Sequence, residues 1–323
     1  MMTCKIKFVD GYPYFNPAYN YIVNPLRKHF NLEFAPDPDY LFYSVTGYEH
    51  AEPRYDHCVK IWYTDENFRP DFTRCDYALS FDLLDDPRHL RLPLYTRCAR
   101  PDELVKPGTI DVETVLRART KFCNFVYTNT NAQTRIRFLR KLARYKPVDC
   151  GGTVCNNMGG QKVNDKLAFL SSYKFTIAFE NARHPGYTTE KLTDPMMAGS
   201  IPIYWGNREV GRDWNTRSFV NCHEYSSFDE VVEEIIRLDQ DDGRYLAKLK
   251  QPWFHDNLPG ACFRPDYLIP FFERVFATPR HTEPRWSGMV PRDFGILQGM
   301  PEFRDYYRNL KIVTGPRESR SFE

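Results

Sequence analysis

The 323-residue chain has no excess of charge of either sign: 44 lysines and arginines against 42 aspartates and glutamates leave a formal +2. That excludes the global basic field on which nucleic-acid binding depends, so no nucleic-acid partner is expected. A long apolar run is also missing. The uncharged stretch from Gly11 to Leu26 is interrupted by Pro, Asn and Tyr and cannot form a membrane helix. Met1-Met2-Thr3-Cys4-Lys5 leads straight into Ile6–Val9 with no small-residue cleavage site, so no signal peptide is read. A chain whose anchor had been clipped would look the same. The nine cysteines form no CxxC pair, which argues against a zinc ribbon or a thioredoxin-type site and for reduced, mostly buried thiols. The eight histidines have no metal-ligand spacing. No repeat of roughly 20–50 residues is evident.

What is present describes a globular protein. Hydrophobic residues make up 42% and charged residues 27%, which excludes a disordered or fibrous chain. At about 150 residues per domain the length gives two domains. Aromatic content is high at 15%, which suits stacking on sugars or bases, although most of these rings must be core.

Short apolar runs between turn signals predict strands at Lys5–Asp10, Asn31–Ala35, Tyr40–Val45, Val59–Tyr63 and Tyr77–Leu83. Between the first two, Pro17–Phe30 has mixed helical spacing. Pro101–Thr120 is polar, carries Pro107-Gly108, and reads as a connector or a long active-site loop. Further on the spacing predicts a strand at Lys121–Tyr127, a helix at Asn131–Leu142, a buried strand at Lys174–Phe179, a helix at Thr188–Gly199, and strands at Ser200–Trp205 and Phe219–Cys222. Ser227 with Glu230 forms a capping-box signal before a helix with Val231, Ile235 and Leu238 on one face. Strand–helix–strand order implies parallel sheets, and two such halves imply two Rossmann-like domains with ligands at the carboxyl ends of the strands. The polar tail Arg308–Glu323 is expected to fray.

The densest chemistry lies in Phe179-Glu180-Asn181-Ala182-Arg183-His184-Pro185-Gly186-Tyr187-Thr188-Thr189-Glu190-Lys191. A buried strand ends, a Pro-Gly turn follows, and a helix begins with a lysine in its first turn. Free N–H groups, the dipole and Lys191 would together suit a diphosphate. The ordinary alternative is a strand–helix turn with Thr188 as cap and Glu190 compensating the dipole. Glu66 follows Ile61-Trp62-Tyr63 at a strand end and could take a proton; it could equally be a solvated loop acid. Arg135 near a helix start could clamp a diphosphate or lie on the surface. Asp37-Pro38-Asp39 matches a metal-binding DxD but reads as a turn. The role of Gly151-Gly152 and Gly159-Gly160 stays open.

The stretch FENARHPGYTTEKLTDPMMAGSIPIYWG, Phe179 to Gly206, resembles the α-1,3/4-fucosyltransferases of glycosyltransferase family 10, bacterial type. Ser218-Phe219-Val220-Asn221, Phe228-Asp229-Glu230 and Thr128–Arg135 are similar to the family too. Tyr63-Thr64-Asp65-Glu66-Asn67 resembles its Thr-Gly-Glu-Asn. The resemblance implies an α/β fold of GT-B architecture, two Rossmann-like domains facing each other across a cleft. Residues 1–118 would form the acceptor-side domain, 119–290 the GDP-fucose-binding domain and 291–323 an extension that could pack back on the first. It implies an inverting enzyme that moves L-fucose from GDP-β-L-fucose to a GlcNAc hydroxyl of an N-acetyllactosamine-type glycan, with a Lewis-type product, in glycan or lipopolysaccharide biosynthesis. Glu66 would be catalytic. Arg135, Asn181, Tyr187, Glu190 and Lys191 would bind the donor, with support from Glu180 and Thr189. No metal or other cofactor is expected. The partners would be GDP-fucose and an oligosaccharide acceptor. A cytoplasmic location is expected, with peripheral attachment to the inner membrane and the oligomeric state left open. The rival readings are a related transferase with another nucleotide sugar or acceptor and a catalytically silent sugar-binding protein. Asp65 stands where the family has glycine, and Pro195 lies within the expected donor-site helix, where it could bend it.

Overall fold

The computed structural model describes residues 1–12, 15–109 and 111–286. The first sheet is built from β1 (Thr3–Val9), β2 (Asn31–Phe34), β3 (Tyr40–Tyr43), β4 (Val59–Tyr63), β5 (Tyr77–Ser80) and β6 (His89–Arg91). Its order is β2-β1-β3-β4-β5-β6, and every neighbouring pair is parallel. The expected Pro17–Phe30 helix is a single turn, α1 (Val23–Leu26), because Pro25 lies within it and Asn20 accepts the backbone N–H groups of Ile22 and Val23 at its start. β6 has only three residues, too few for an alternation to show in the sequence.

The segment expected as a connector or loop is partly helical. α2 (Tyr95–Cys98) is followed by α3 (Pro101–Leu104) and α4 (Val112–Ala118). Pro101 sits in the first turn of α3, where its missing N–H costs nothing. The Asp111 side chain caps α4 by accepting the Thr114 N–H at 3.2 Å.

The second sheet contains β7 (Lys121–Phe125), then, after α5 (Gln133–Leu142), β8 (Val148–Cys150). α6 (Lys166–Leu170), β9 (Tyr173–Phe179), α7 (Glu190–Met197) and β10 (Ile201–Trp205) come next. β11 (Val220–Asn221), α8 (Phe228–Gln240), α9 (Asp242–Lys250) and α10 (Ile269–Phe276) complete the described elements. The order is β11-β10-β9-β7-β8, again parallel throughout. β9 is central and buried at nearly every position, as a strand covered on both faces must be. Ser227 caps α8 by accepting the Glu230 N–H at 3.3 Å, while the Glu230 carboxylate reaches back to Ser226 rather than to Ser227. Val231, Ile235 and Leu238 are its buried stripe. α7 runs through Pro195 to Met197.

The units have separate cores, and the chain returns to the first one. Leu268, Ile269, Phe271, Phe272, Val275 and Phe276 pack with Phe8, Tyr40 and Phe42 of the first sheet. α10 therefore lies on the first unit, although its residue numbers fall within the range 119–290 expected for the second. Its apolar face fits the aromatic surface of β1 and β3, with Phe272 stacked on Phe42 at 5.8 Å, and Tyr40 donates to the Phe276 carbonyl. The extension 291–323 and the tail Arg308–Glu323 lie outside the described residues.

Candidate active site

The carboxyl end of β9 delivers Glu180 into the protein, 1% exposed. One of its oxygens accepts the Thr189 N–H and the other the Thr189 hydroxyl, both at 2.8 Å. Gly206 stands beside it: a Cβ there would lie 2.5 Å from Glu180 Cγ. Thr189, not Thr188, caps α7, accepting the Lys191 N–H at 3.3 Å. The Lys191 ammonium lies 3.2 Å from Glu190 Oε1 and 3.5 Å from Glu180 Oε2. Burial alone would lower Lys191, but the two carboxylates outweigh it and hold the group above its ordinary value. For Glu190 burial works upward and Lys191 outweighs it, so that carboxyl is lowered. For Glu180 burial prevails over Lys191 and the carboxyl is raised.

Arg135, in the first turn of α5, is 1% exposed. Its guanidinium lies 4.1 Å above the Tyr127 ring and donates to Asn181 Oδ1 at 2.5 Å. Its Nε is buried without a partner, and among the described residues no carboxylate pairs with it. Tyr127 is itself pinned, donating to the Ile177 carbonyl at 2.8 Å and accepting the Phe179 N–H at 2.7 Å. Burial lowers the Arg135 pKa from its ordinary value.

The two units meet at the loop between β9 and α7. Gly186 has φ +83°, and a Cβ there would sit 2.4 Å from the Phe81 carbonyl at the end of β5. Tyr187, 3% exposed, packs its ring 4.9 Å from that of Phe81. Arg69 donates to His184 Nε2 at 2.8 Å, and Arg91 binds Asp213 through two contacts of 2.8 and 2.7 Å. Glu66 lies in the bend after β4, its N–H donating to Thr64 Oγ1 at 3.0 Å. Burial pushes the Tyr187 hydroxyl well up, and Glu180, Glu66 and Glu190 all add to the shift. Glu66 and the β9–α7 segment therefore share one electrostatic neighbourhood, although they belong to different sheets.

The expected residues thus divide into connected sets. Glu180, Thr189, Glu190 and Lys191 form one network, Arg135 and Asn181 a second, and the Tyr187 hydroxyl is influenced by both Glu180 and Glu66. Sequence reasoning missed the residues that hold them: Tyr127 under Arg135, Gly206 against Glu180, and Phe81 against Gly186. It also missed the environment of Asp65, which is buried, pairs with Arg97 at 2.5 Å and accepts from Tyr21 at 3.4 Å. Burial raises the Asp65 carboxyl. No spacing signal links Arg97 or Tyr21 to it. Asp37 accepts both Arg280 terminal nitrogens at 3.1 Å, in keeping with a turn position. Among the described residues no cluster of three or more His, Cys, Asp or Glu side chains could hold a metal ion, and no helix is long and apolar enough to cross a membrane.

Two Rossmann-like units, with charged groups at the carboxyl edge of the second sheet and an acid from the first, define a GT-B glycosyltransferase fold. The N-terminal domain model of alpha-(1,3)-fucosyltransferase FucT matches residues 6–97, and that of the glycosyltransferase family 10 (fucosyltransferase) C-terminal part matches residues 116–253. The chain belongs to glycosyltransferase family 10. It is 35% identical over 274 residues to the alpha-(1,3)-fucosyltransferase FucT of Helicobacter pylori, covering 75% of this chain and 56% of the relative. It is 29% identical to the GDP-fucose protein O-fucosyltransferase 3 of Rattus norvegicus, covering 67% and 45%. The chain therefore spans about half the length of these relatives. A solved alpha1,3-fucosyltransferase with GDP-fucose superposes with a TM-score of 0.69 at 28% identity, covering 88% of this chain and 94% of that one.

Proposed function

We propose that the chain is an inverting α-1,3-fucosyltransferase that moves L-fucose from GDP-β-L-fucose to a GlcNAc hydroxyl of an N-acetyllactosamine-type glycan, giving a Lewis-type product. The observation that carries this reading is Arg135, a buried guanidinium with an unpartnered Nε and no carboxylate upon it. Glu180 and Glu190 act on this buried charge but neither pairs with it, so the site gains by admitting an anion, and a diphosphate suits the guanidinium fork. The solved relative with GDP-fucose supports the choice of donor.

In this reading the sheet of β7 to β11, whose core takes in Tyr95, Ala99 and Leu104 from the segment expected on the first unit, is the donor side, and the sheet of β1 to β6 with α10 on it is the acceptor side. Arg135 and Lys191 meet the negative charge that builds on GDP as it leaves, in place of a metal. Tyr187 donates to the diphosphate, Asn181 holds Arg135, and Glu190 accepts from the ribose hydroxyls. Glu180 and Thr189 fix the start of α7. Glu66 removes the proton of the acceptor hydroxyl as its oxygen attacks fucose C1 from the face opposite GDP. The new C1–O bond forms as the C1–phosphate oxygen bond breaks, the electron pair leaves with GDP, and the β-linked donor gives an α-linked product.

Incubation of the chain with GDP-fucose and N-acetyllactosamine, with the product linkage read by NMR, tests the reading. An α-1,3 fucoside on GlcNAc is expected. Transfer only from another nucleotide sugar, or only to another acceptor, would replace this donor or acceptor. GDP binding with no turnover would make the chain a silent sugar-binding protein.

A further inference from the structure

The carboxyl edge of the second sheet holds a second concavity, beyond the ends of β10 and β11, with a volume of about 660 Å³. Pockets that bury small ligands span about 300–1,000 Å³. Its walls include Arg183, Arg208, His223, Trp205, Tyr225 and Phe228, and no carboxylate lines it. None of the side chains given roles above does so either. Arg183 and Arg208 are exposed, and among the described residues neither has an ion-pair partner. Most other arginines near carboxylates in this molecule are paired, as Arg91 is with Asp213. His223 is tied through Nε2 to the Gly206 backbone; burial lowers its pKa below the ordinary value, that hydrogen bond opposes the shift, and the two guanidiniums add to it. The aromatic wall is fixed. Trp205 stacks on Phe179 at 5.8 Å with 23° between planes, and Phe228 packs edge-on against Phe138 at 5.2 Å. The start of α8 is already closed by Ser227 and Glu230 and is not the source of the site's character.

Rigid aromatic faces next to unpaired guanidiniums suit a ring with an apolar face and an anionic substituent. We propose that this cavity is a subsite for an acidic sugar residue of the acceptor, a pyranose that carries a carboxylate or a sulfate. Its place in the reaction rests on the fucosyl-transfer reading; its binding chemistry does not. Arg183 stands two residues beyond Asn181, and the next residue, His184, accepts a hydrogen bond from Arg69 of the first unit. The loop that carries it therefore lies where the two units meet.

The test is an NMR titration of the full chain with methyl glucuronide, galactose 6-sulfate and methyl glucoside, with and without saturating GDP. The acidic sugars should bind at least about tenfold more tightly than the neutral one, with an advantage that falls as salt rises. GDP should not displace them. The double variant Arg183→Ala/Arg208→Ala should erase the preference while leaving GDP affinity unchanged, and Arg183→Lys/Arg208→Lys should keep part of it. Both side chains are exposed, so neither variant threatens the fold. The glucuronide and sulfate arms identify the anion. Equal binding of acidic and neutral sugars would overturn the proposal, as would displacement by GDP or weakened GDP binding in the alanine variant, either of which would assign the cavity to the nucleotide. If the wild type prefers acidic sugars but fucosylates nothing, the transfer reading falls and the site stands. If it fucosylates neutral acceptors without any acidic preference, the site falls and the transfer reading stands.

Discussion

The two units bring charge to the cleft in different ways. On the second, one short segment does most of the work: Glu180, Thr189, Glu190 and Lys191 bond to one another within a single strand–turn–helix. On the first, Glu66 projects from a bend whose surroundings are gathered from distant parts of the chain, including Tyr12 and, beneath it, Asp65 with Arg97 and Tyr21. Two lysines, Lys60 buried and Lys191 partly so, show the same contrast. Lys191 lies between two carboxylates and is held above its ordinary value. Lys60, on β4, donates to the His50 carbonyl at 2.6 Å and faces the Trp286 ring at 5.3 Å; burial takes it down to about 8, against the pull of Asp56 and its neighbours. Carboxylates in contact hold the Lys191 ammonium charged, whereas among the described residues none pairs with Lys60 and burial prevails there. The second unit is thus organised to hold charge and the first to position an acid.

This contrast makes Glu66 separable from the network of Glu180, Thr189, Glu190 and Lys191. Glu66→Gln should lower kcat by about 10²–10⁴ while melting and GDP affinity stay unchanged. Steady-state kinetics beside thermal unfolding would measure it, and near-normal turnover would remove Glu66 from the role. Lys191→Met should behave in the opposite manner. It leaves the buried Glu180 without its cation, so stability at neutral pH should fall by about 3 kcal/mol, with GDP affinity and kcat/KM falling too. Much of the stability should return in acid, where Glu180 takes up a proton; denaturant midpoints at both pH values would show it.

The junction between the units gives a smaller effect. Gly186→Ala forces a side chain into a left-handed conformation and against the Phe81 carbonyl, which should cost at least about 1–3 kcal/mol. An unchanged melting temperature would mean that the β9–α7 loop does not press on the first sheet.

The smallest effect is a slope. Lys60 binds fewer protons in the fold than in the unfolded chain between its folded value of about 8 and the ordinary 10.5, so its contribution to stability rises with pH across that window. Lys60→Met should flatten the rise, seen as a wild-type-minus-variant difference in denaturant midpoints that changes between those values. Lys191 has the opposite sign. Its contribution is intact below the ordinary lysine value and is lost only as pH rises through the raised one.

The sequence revealed those parts of the molecule that are local. Glu180 through Lys191 could be read as one strand, turn and helix start because the bonds run between residues a few positions apart. The stripe of α8 and its cap were legible for the same reason. β6 and β8, at three residues each, were too short to show a period. The return of α10 to the first sheet left no local trace, since an amphipathic helix does not state which surface it covers. Arg135 was legible as a candidate, but its burial over Tyr127 and its bond to Asn181 depend on the pairing of β7 with β9. Asp65 was noticed only as an odd residue beside Glu66, because its partner Arg97 comes from another element. The unpaired arginines by Trp205 were silent, because pairing is a property of space and not of spacing.

Calorimetric titration of GDP into the wild type, Glu66→Gln and Arg135→Ala, with turnover of GDP-fucose measured on the same samples, shows whether the buried guanidinium faces the donor and Glu66 the acceptor. Glu66→Gln should bind GDP like the wild type and turn over poorly. Arg135→Ala should lose at least about tenfold in kcat/KM, roughly 1.4 kcal/mol, with GDP affinity weakened as well. If Arg135→Ala bound GDP and turned over like the wild type, the buried guanidinium would not face the donor and the division of the cleft drawn here would be contradicted.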